Sequence, residues 1–425
     1  MKIRRANSLH GVIAVPGDKS ISHRAAMLAA IATGETRIGN FAPGEDCRST
    51  LDCLAAMGVR VRHEGGDVIV QGVGKTGLLP PSQPLDCGNS GTTMRLLAGI
   101  LAGQEFGSVM TGDESLKRRP MGRVIDPLTR MGAAIGSEDG RAPLAIAGRR
   151  PLKAIEYRTP VASAQIKSCV LLAGLYSDGE TIVIEPTPTR DHTERMLAWF
   201  GVDVKVDGTR ISVPGGASLT ARDISVPADI SGASFFMVAA ACLDGSDITL
   251  ANSGVNPLRS GICDALRDAG ADIQMSEIVD VCNEPVATIR VRGGLKNGKS
   301  VVINGAGIAG LIDEIPILAA LGTRLAHGIE IRDARELRIK ESDRISAIVE
   351  NLRRMGGVVT EFDDGFRVEP CELKGAVVDS FGDHRIAMAF AVAGLLATGE
   401  TEITNAECAD VSFPGFFEIL GRVAS

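Results

Sequence analysis

AAIATGETRI (29–38) and AGLLATGETEI (393–403) stand near opposite ends of a 425-residue chain. Each joins a run of small helix-forming residues to a β-type strand through one glycine, Gly34 or Gly399. The same succession returns four times between them: LAGILAGQEF (97–106), LAGLYSDGETIVI (172–184), AAACLDGSDITL (239–250) and AALGTRLAHGIEI (319–331). The glycines recur every 66 to 83 residues. Self-similarity at a fixed period marks repeated supersecondary units.

A second signal interleaves with the first. It is a helix end with Leu or Phe four residues before a Gly, in LAAMGVRV (54–61), LTRMGAAI (128–135), LAWFGVDV (197–204), LRDAGADI (266–273) and LRRMGGVV (352–359), with a weaker sixth, FEILGRV (417–423). Such a Gly suits the left-handed position that ends a helix, and the Leu one turn earlier faces a core. Each follows its partner signal by 22 to 29 residues, so the repeat reads strand, helix, strand, helix, further strands. The segments opening the first helices also correspond: VPGDKSISHR (15–24), DCGNSGTTMR (86–95), VASAQIKS (161–168), VPADISGAS (226–234), GLIDEIPIL (310–318) and FGDHRIAM (381–388). Val-Pro-x-Asp occurs at Val15 and again at Val226, which places the same connection at repeats one and four. The expected fold is therefore α/β (α+β) with two domains of three repeats. One spans 18–227, and the other is discontinuous, 1–17 plus 228–425, with the N-terminal strand returned to the second half of the chain.

Composition narrows the function. Apolar residues make up 44% and charged residues 23%, a globular balance. One Trp and two Tyr leave little to stack on bases, and a net charge of −7 disfavours a polyanion binder, so no nucleic-acid partner is expected. The longest apolar run, Ile386 to Ala397, contains Gly394 and is too short to span a bilayer. Nine scattered cysteines without a Cys-x-x-Cys pair argue against a disulfide framework or structural zinc and for a reducing cytoplasm.

The chemistry-bearing residues cluster within the repeat. Lys19, Gly91, Ser163, Gln165, Asp313, His384 and Arg385 fall at the openings of first helices. Arg119, Arg190 and the group Arg338, Lys340, Glu341 and Arg344 fall in loops between the two signals. Helix N-termini offer unpaired N–H groups and a positive dipole end, and Lys and Arg beside them point to substrates with several negative charges. Gly305-Ala-Gly-Ile-Ala-Gly310 matches a dinucleotide fingerprint, but Asp313, Glu314 and Pro316 stand where a pyrophosphate would sit. Gly17-Asp-Lys-Ser20 is similar to the end of a P-loop but lacks its Gly-Lys pair. Arg190-Asp-His-Thr-Glu194 reads as a helix cap with solvated charges rather than a metal site.

Taken together, PGDKSISHR (16–24), GNSGTTMR (88–95), LKRRPM (116–121), SAQIKS (163–168), RIKESDR (338–344) and GDHRIAMAFA (382–391) resemble the 5-enolpyruvylshikimate-3-phosphate synthase family over nearly the whole chain. GDKS, SAQIK and RDHTE are similar to its class II branch. The resemblance implies six βαβαββ units, three per domain, in the enolpyruvyl transferase fold, an inside-out α/β barrel. It implies a monomer that transfers the enolpyruvyl group of phosphoenolpyruvate (PEP) to the 5-hydroxyl of shikimate 3-phosphate by addition and elimination, with no metal or organic cofactor.

Carried over by motif, Lys19, Ser20, Arg24, Ser163, Ala164, Gln165, Arg190, Asp313 and Lys340 correspond to shikimate 3-phosphate contacts. Lys19, Gly91, Arg119, Gln165, Glu341, Arg344, His384 and Arg385 correspond to PEP contacts. Asp313 matches the base near the 5-hydroxyl and Glu341 the acid near the PEP methylene, with Lys19 counted among the catalytic groups. Three positions depart from the family pattern: Val411 and Glu336, where Lys and Asn are common, and Asn256-Pro-Leu-Arg259 in place of Asn-x-Thr-Arg. The sister transferase acting on UDP-N-acetylglucosamine typically has a Cys in the loop matching Thr111 to Arg123, and none stands here. A non-enzymatic repeat clamp would explain the periodicity but not Asp313 and Glu341 among cations.

Overall fold

A computed structural model of the chain describes residues 1–296 and 300–425. Six helices begin at the six recurring openings: α1 (Lys19–Ile31), α2 (Gly91–Ala102), α3 (Ala164–Gly174), α4 (Ile230–Cys242), α5 (Ile315–Gly322) and α6 (His384–Leu396). Beyond their polar opening turns the six sequences are apolar on every side, and a helix apolar all round must be enclosed. Accordingly every residue of α4, α5 and α6 is buried. Small residues let these helices approach closely: a Cβ on Gly99 of α2 would stand 2.3 Å from the Cys169 carbonyl oxygen of α3.

The strands form six separate small sheets, with no closed barrel among the described residues. One topology repeats. In the third repeat Glu156–Arg158 runs parallel to Thr181–Ile184, which is antiparallel to Arg210–Val213, itself antiparallel to Lys205–Asp207. The sheets beginning with Leu85–Asp86 and Val301–Ile303 have the same order. Two sheets borrow their parallel strand from far away in sequence. Ile224–Ser225 pairs with Thr33–Gly39, and His10–Ile13 pairs with Asp247–Gly254. The sixth sheet is three-stranded, with Lys2–Arg4 antiparallel to Glu400–Thr404. Outward strand positions alternate with buried ones, as along Arg141–Ala147.

The chain divides into two compact bodies. The first is Gly17–Val226 with Val281–Glu284; the second is Met1–Pro16, Pro227–Asp280 and Pro285–Ser425. Each has its own apolar core. In the second, Phe235 and Phe236 of α4 pack edge-on and tilted against Phe413 and against Phe416, the first residue of the helix Phe416–Val423. The grouping of the hairpin segment Val281–Glu284 with the first body has no counterpart in the sequence reading. There Glu284 Oε1 lies 2.7 Å from His192 Nδ1.

Gly58, Gly132, Gly201, Gly270 and Gly356 all have φ between 77° and 102°, the left-handed stop their spacing predicts. Gly421 differs: it lies inside the helix Phe416–Val423. Among the described residues no helix is long and apolar enough to cross a membrane.

Candidate active site

The helix openings are less bare than the sequence suggests. In five of the six central helices the residue before the first turn is a side-chain cap: Asp18, Ser90, Ser163, Asp229 and Asp383 each accept from a backbone N–H of the first turn. Lys19, Gly91, Ala164 and His384 are the residues immediately following such caps. The expectation of open amides is corrected accordingly, since each cap removes one donor.

In the first body, Lys19 Nζ is 2.8 Å from Asp46 Oδ2, and both side chains are largely shielded from solvent. Arg119 donates from Nη2 to Asn89 Oδ1 at 2.6 Å and to Ser115 Oγ at 3.3 Å. Gln165 bridges α2 and α3: its Nε2 donates to Thr92 Oγ1 at 3.0 Å, and its Oε1 accepts from Arg95 Nη1 at 2.8 Å. Gly91 lies beside both cations, because a Cβ there would be 2.8 Å from Arg95 Nη1 and 3.3 Å from Arg119 Nη1. Lys19, Gly91, Arg119 and Gln165 were legible as residue types at helix openings and loops. Asp46, Asn89, Thr92 and Arg95 were not, although Asn89, Thr92 and Arg95 stand inside a recurring opening.

Arg24 is buried deeper. Its Nε donates to Thr193 Oγ1 at 2.7 Å, Nη2 to Ser168 Oγ at 2.8 Å and Nη1 to the Ser20 carbonyl at 2.8 Å. Burial pushes its pKa down to about 10 against the support of Glu194 and Asp18, and neighbouring Arg190 lowers it further. The Arg190–Glu194 stretch is not a solvated cap. His192, Thr193 and Glu194 are buried, and Glu194 Oε1 is 2.7 Å from Lys167 Nζ, which also holds Glu185 Oε2 at 2.8 Å. The charges are enclosed because Lys167, four residues into the SAQIK segment, enters the interior and needs carboxylates there. Burial raises the Glu194 pKa despite Lys167.

In the second body the central group is Asp313, just before the α5 cap position. Its Oδ1 lies 3.6 Å from Arg344 Nη1, 3.7 Å from Lys340 Nζ and 4.0 Å from Arg385 Nε, and its Oδ2 lies 3.9 Å from Arg259 Nη1. Arg344 is 1% exposed. It donates from Nε to Asp383 Oδ2 at 2.8 Å and from Nη2 to Glu341 Oε2 at 2.6 Å. Burial opposes its charge, but Asp383, Glu341 and Asp313 more than offset this, so its pKa is raised. Its Nη1 is buried with no hydrogen-bond partner among the described residues. Asp383 serves twice, capping α6 through the Arg385 N–H at 2.9 Å and holding Arg344. Arg338 is committed to Asp343 and Glu361 at 2.9 Å each, which fixes the loop to the strand Val359–Phe362. This side of the site is thus balanced in charge, not simply cationic.

A family model of EPSP synthase (3-phosphoshikimate 1-carboxyvinyltransferase) matches residues 3–420. The chain belongs to the EPSP synthase family. Curated relatives named 3-phosphoshikimate 1-carboxyvinyltransferase include one from Salinibacter ruber, 51% identical over 99% of both chains. Another, from Pelotomaculum thermopropionicum, is 52% identical over 100% of this chain and 98% of its own. A solved structure of EPSP synthase from Acinetobacter baumannii superposes with a TM-score of 0.88 at 43% identity, covering 100% of this chain and 98% of that one. Within this EPSP synthase frame, Lys19, Ser20, Arg24, Gly91, Arg119, Ser163, Ala164, Gln165 and Arg190 belong to the first body. Asp313, Lys340, Glu341, Arg344, His384 and Arg385 belong to the second.

Proposed function

We propose that the chain transfers the enolpyruvyl group of PEP to the 5-hydroxyl of shikimate 3-phosphate, releasing phosphate, with the site residues in the roles their motifs imply. The observation that carries the site assignment is Asp313 among Arg259, Lys340, Arg344 and Arg385, with the buried Arg344 Nη1 making no hydrogen bond among the described residues. A buried guanidinium donor without a partner is costly unless a ligand anion completes it.

Arg259, Lys340, Arg344 and Arg385 stand around the Asp313 carboxylate, and the base of this reaction has to be ionised. Asp313 takes the 5-hydroxyl proton as that oxygen bonds to C2 of PEP, and Glu341 delivers a proton to C3. The product of this step is a tetrahedral ketal. Loss of a C3 proton then re-forms the double bond as the C2–O bond to phosphate breaks. Lys19, Gly91, Arg119, Gln165, Arg344, His384 and Arg385 bind PEP. Lys19, Ser20, Arg24, Ser163, Ala164, Gln165, Arg190 and Lys340 bind shikimate 3-phosphate. The enzyme works as a cytoplasmic monomer on these two small anions, without nucleic acid.

Phosphate release from PEP tests the activity. It is expected only when shikimate 3-phosphate is present, and release with UDP-N-acetylglucosamine in its place would overturn the reading. Exchange of solvent deuterium into the PEP methylene tests the acid. Glu341→Gln should slow it by about 10² with little change in PEP binding, and wild-type exchange would remove Glu341 from that role.

A further inference from the structure

Ser231 takes no part in the mechanism above, yet its hydroxyl stands where three central helices of the second body begin. It lies in the first turn of α4 and is 1% exposed. Its Oγ accepts a hydrogen bond from Arg385 Nη1 of α6 and donates another to Oε1 of Glu314, the cap position of α5. A guanidinium can only donate, so the single Ser231 proton is directed to Glu314. Glu314, fully buried, also accepts from Arg259 Nη1 at 2.8 Å. Of the six central helices α5 alone has no side-chain cap bond, because the Glu314 carboxylate faces Ser231 and Arg259 instead of its own helix. A local rule broken without local gain marks a place shaped for another purpose.

We infer that Ser231 and Glu314 are positioning residues for Arg385. Ser231 Oγ and the Asp313 carbonyl, at 3.0 Å, both take their hydrogen bonds from Nη1. Among the described residues Nη2 and Nε of Arg385 donate no hydrogen bond. The guanidinium is held by one corner, and its other donors remain for an anion. An arginine has many rotamers, and fixing one before the ligand arrives removes an ordering cost from binding. This inference rests on the assignment of Arg385 to PEP.

Steady-state kinetics with single and double variants test it. Ser231→Ala should raise KM for PEP about tenfold, leave KM for shikimate 3-phosphate within about twofold, and be restored by Ser231→Thr, which keeps the hydroxyl. Glu314→Gln, nearly isosteric, should move PEP in the same direction and serves if Ser231→Ala does not fold. In an Arg385→Ala background the Ser231→Ala effect on PEP should vanish, because residues acting through one group are not additive. A purely structural Ser231 would instead weaken both substrates alike in either background, and that result overturns the inference. Impaired PEP binding in Arg385→Ala with a normal KM in Ser231→Ala would overturn it while leaving Arg385 in place. Normal PEP binding in Arg385→Ala would remove the Arg385 assignment itself, and the inference with it.

Discussion

Gly91 is the first residue of α2, and its φ lies outside the left-handed region, so its backbone tolerates an alanine. Space is the constraint. The new Cβ would meet Arg95 Nη1 at 2.8 Å and Arg119 Nη1 at 3.3 Å. Both are far ends of flexible side chains, which move at small cost to folding, while alanine gains up to about 1 kcal/mol of helix propensity. The cost therefore falls on the site, because Arg119 is assigned to PEP and Arg95 holds Gln165, which is assigned to both substrates. Gly91→Ala should unfold no earlier than wild type in a thermal scan, yet show a KM for PEP raised by about tenfold with kcat reduced less. An unchanged KM would place PEP away from this helix opening.

At the scale of elements, α1 and α2 are tied by a buried chain of side chains. His23 Nδ1 is 2.7 Å from Thr50 Oγ1, which is 2.7 Å from Thr93 Oγ1, which donates to Ser90 Oγ at 2.8 Å. His23 is fully buried, and burial lowers its pKa to about 3, with Lys19 and Arg24 lowering it and Asp46 and Asp18 opposing. The imidazole is neutral in the fold but becomes charged in the unfolded chain below about pH 6.5. The unfolded state then binds more protons, so stability falls as pH drops from there towards 3, by up to about 1.4 kcal/mol per unit. Between pH 7 and 5.5, wild type should lose about 1 kcal/mol more unfolding free energy than His23→Asn in urea titrations. Equal losses would show that His23 is not the proton acceptor. This chain also marks the limit of what the sequence discloses. Helix stops at Gly58 or Gly356 follow from local backbone geometry and could be read in place. The capping serines and aspartates are local in the same way, each accepting from an N–H two or three residues on. Pairs such as Lys19–Asp46 or Arg344–Asp383 depend on which segments folding brings together, and no spacing along one segment encodes that. The same holds for Arg190–Glu194, whose local pattern is that of an exposed cap while Lys167, over twenty residues earlier, determines that Glu194 is buried.

At the scale of the whole molecule, the connection between the two bodies is circular in sequence. The second body is built from both ends of the chain, and His10–Ile13 supplies the parallel edge strand of the Asp247–Gly254 sheet. Ala6, Leu9, Ile13 and Val15 are buried in that body's core. Removing a buried Leu or Ile costs roughly 2–5 kcal/mol each, and a domain has only about 5–15 kcal/mol in total. Deleting residues 1–16 should therefore unfold the second body, although it retains all of α4, α5 and α6. The first body loses none of its own residues, since its core runs from Ile21 to Val226. Hydrogen exchange should separate the two. In the truncated chain the amides of α4 and α6 should exchange at nearly unprotected rates, while α1, α2 and α3 keep protection factors within about tenfold of the full-length protein. Protection lost equally from all five helices would mean that the bodies fold as one cooperative unit. Protection kept in α4 and α6 would mean that the borrowed strand is dispensable, and with it the reason for the discontinuous body.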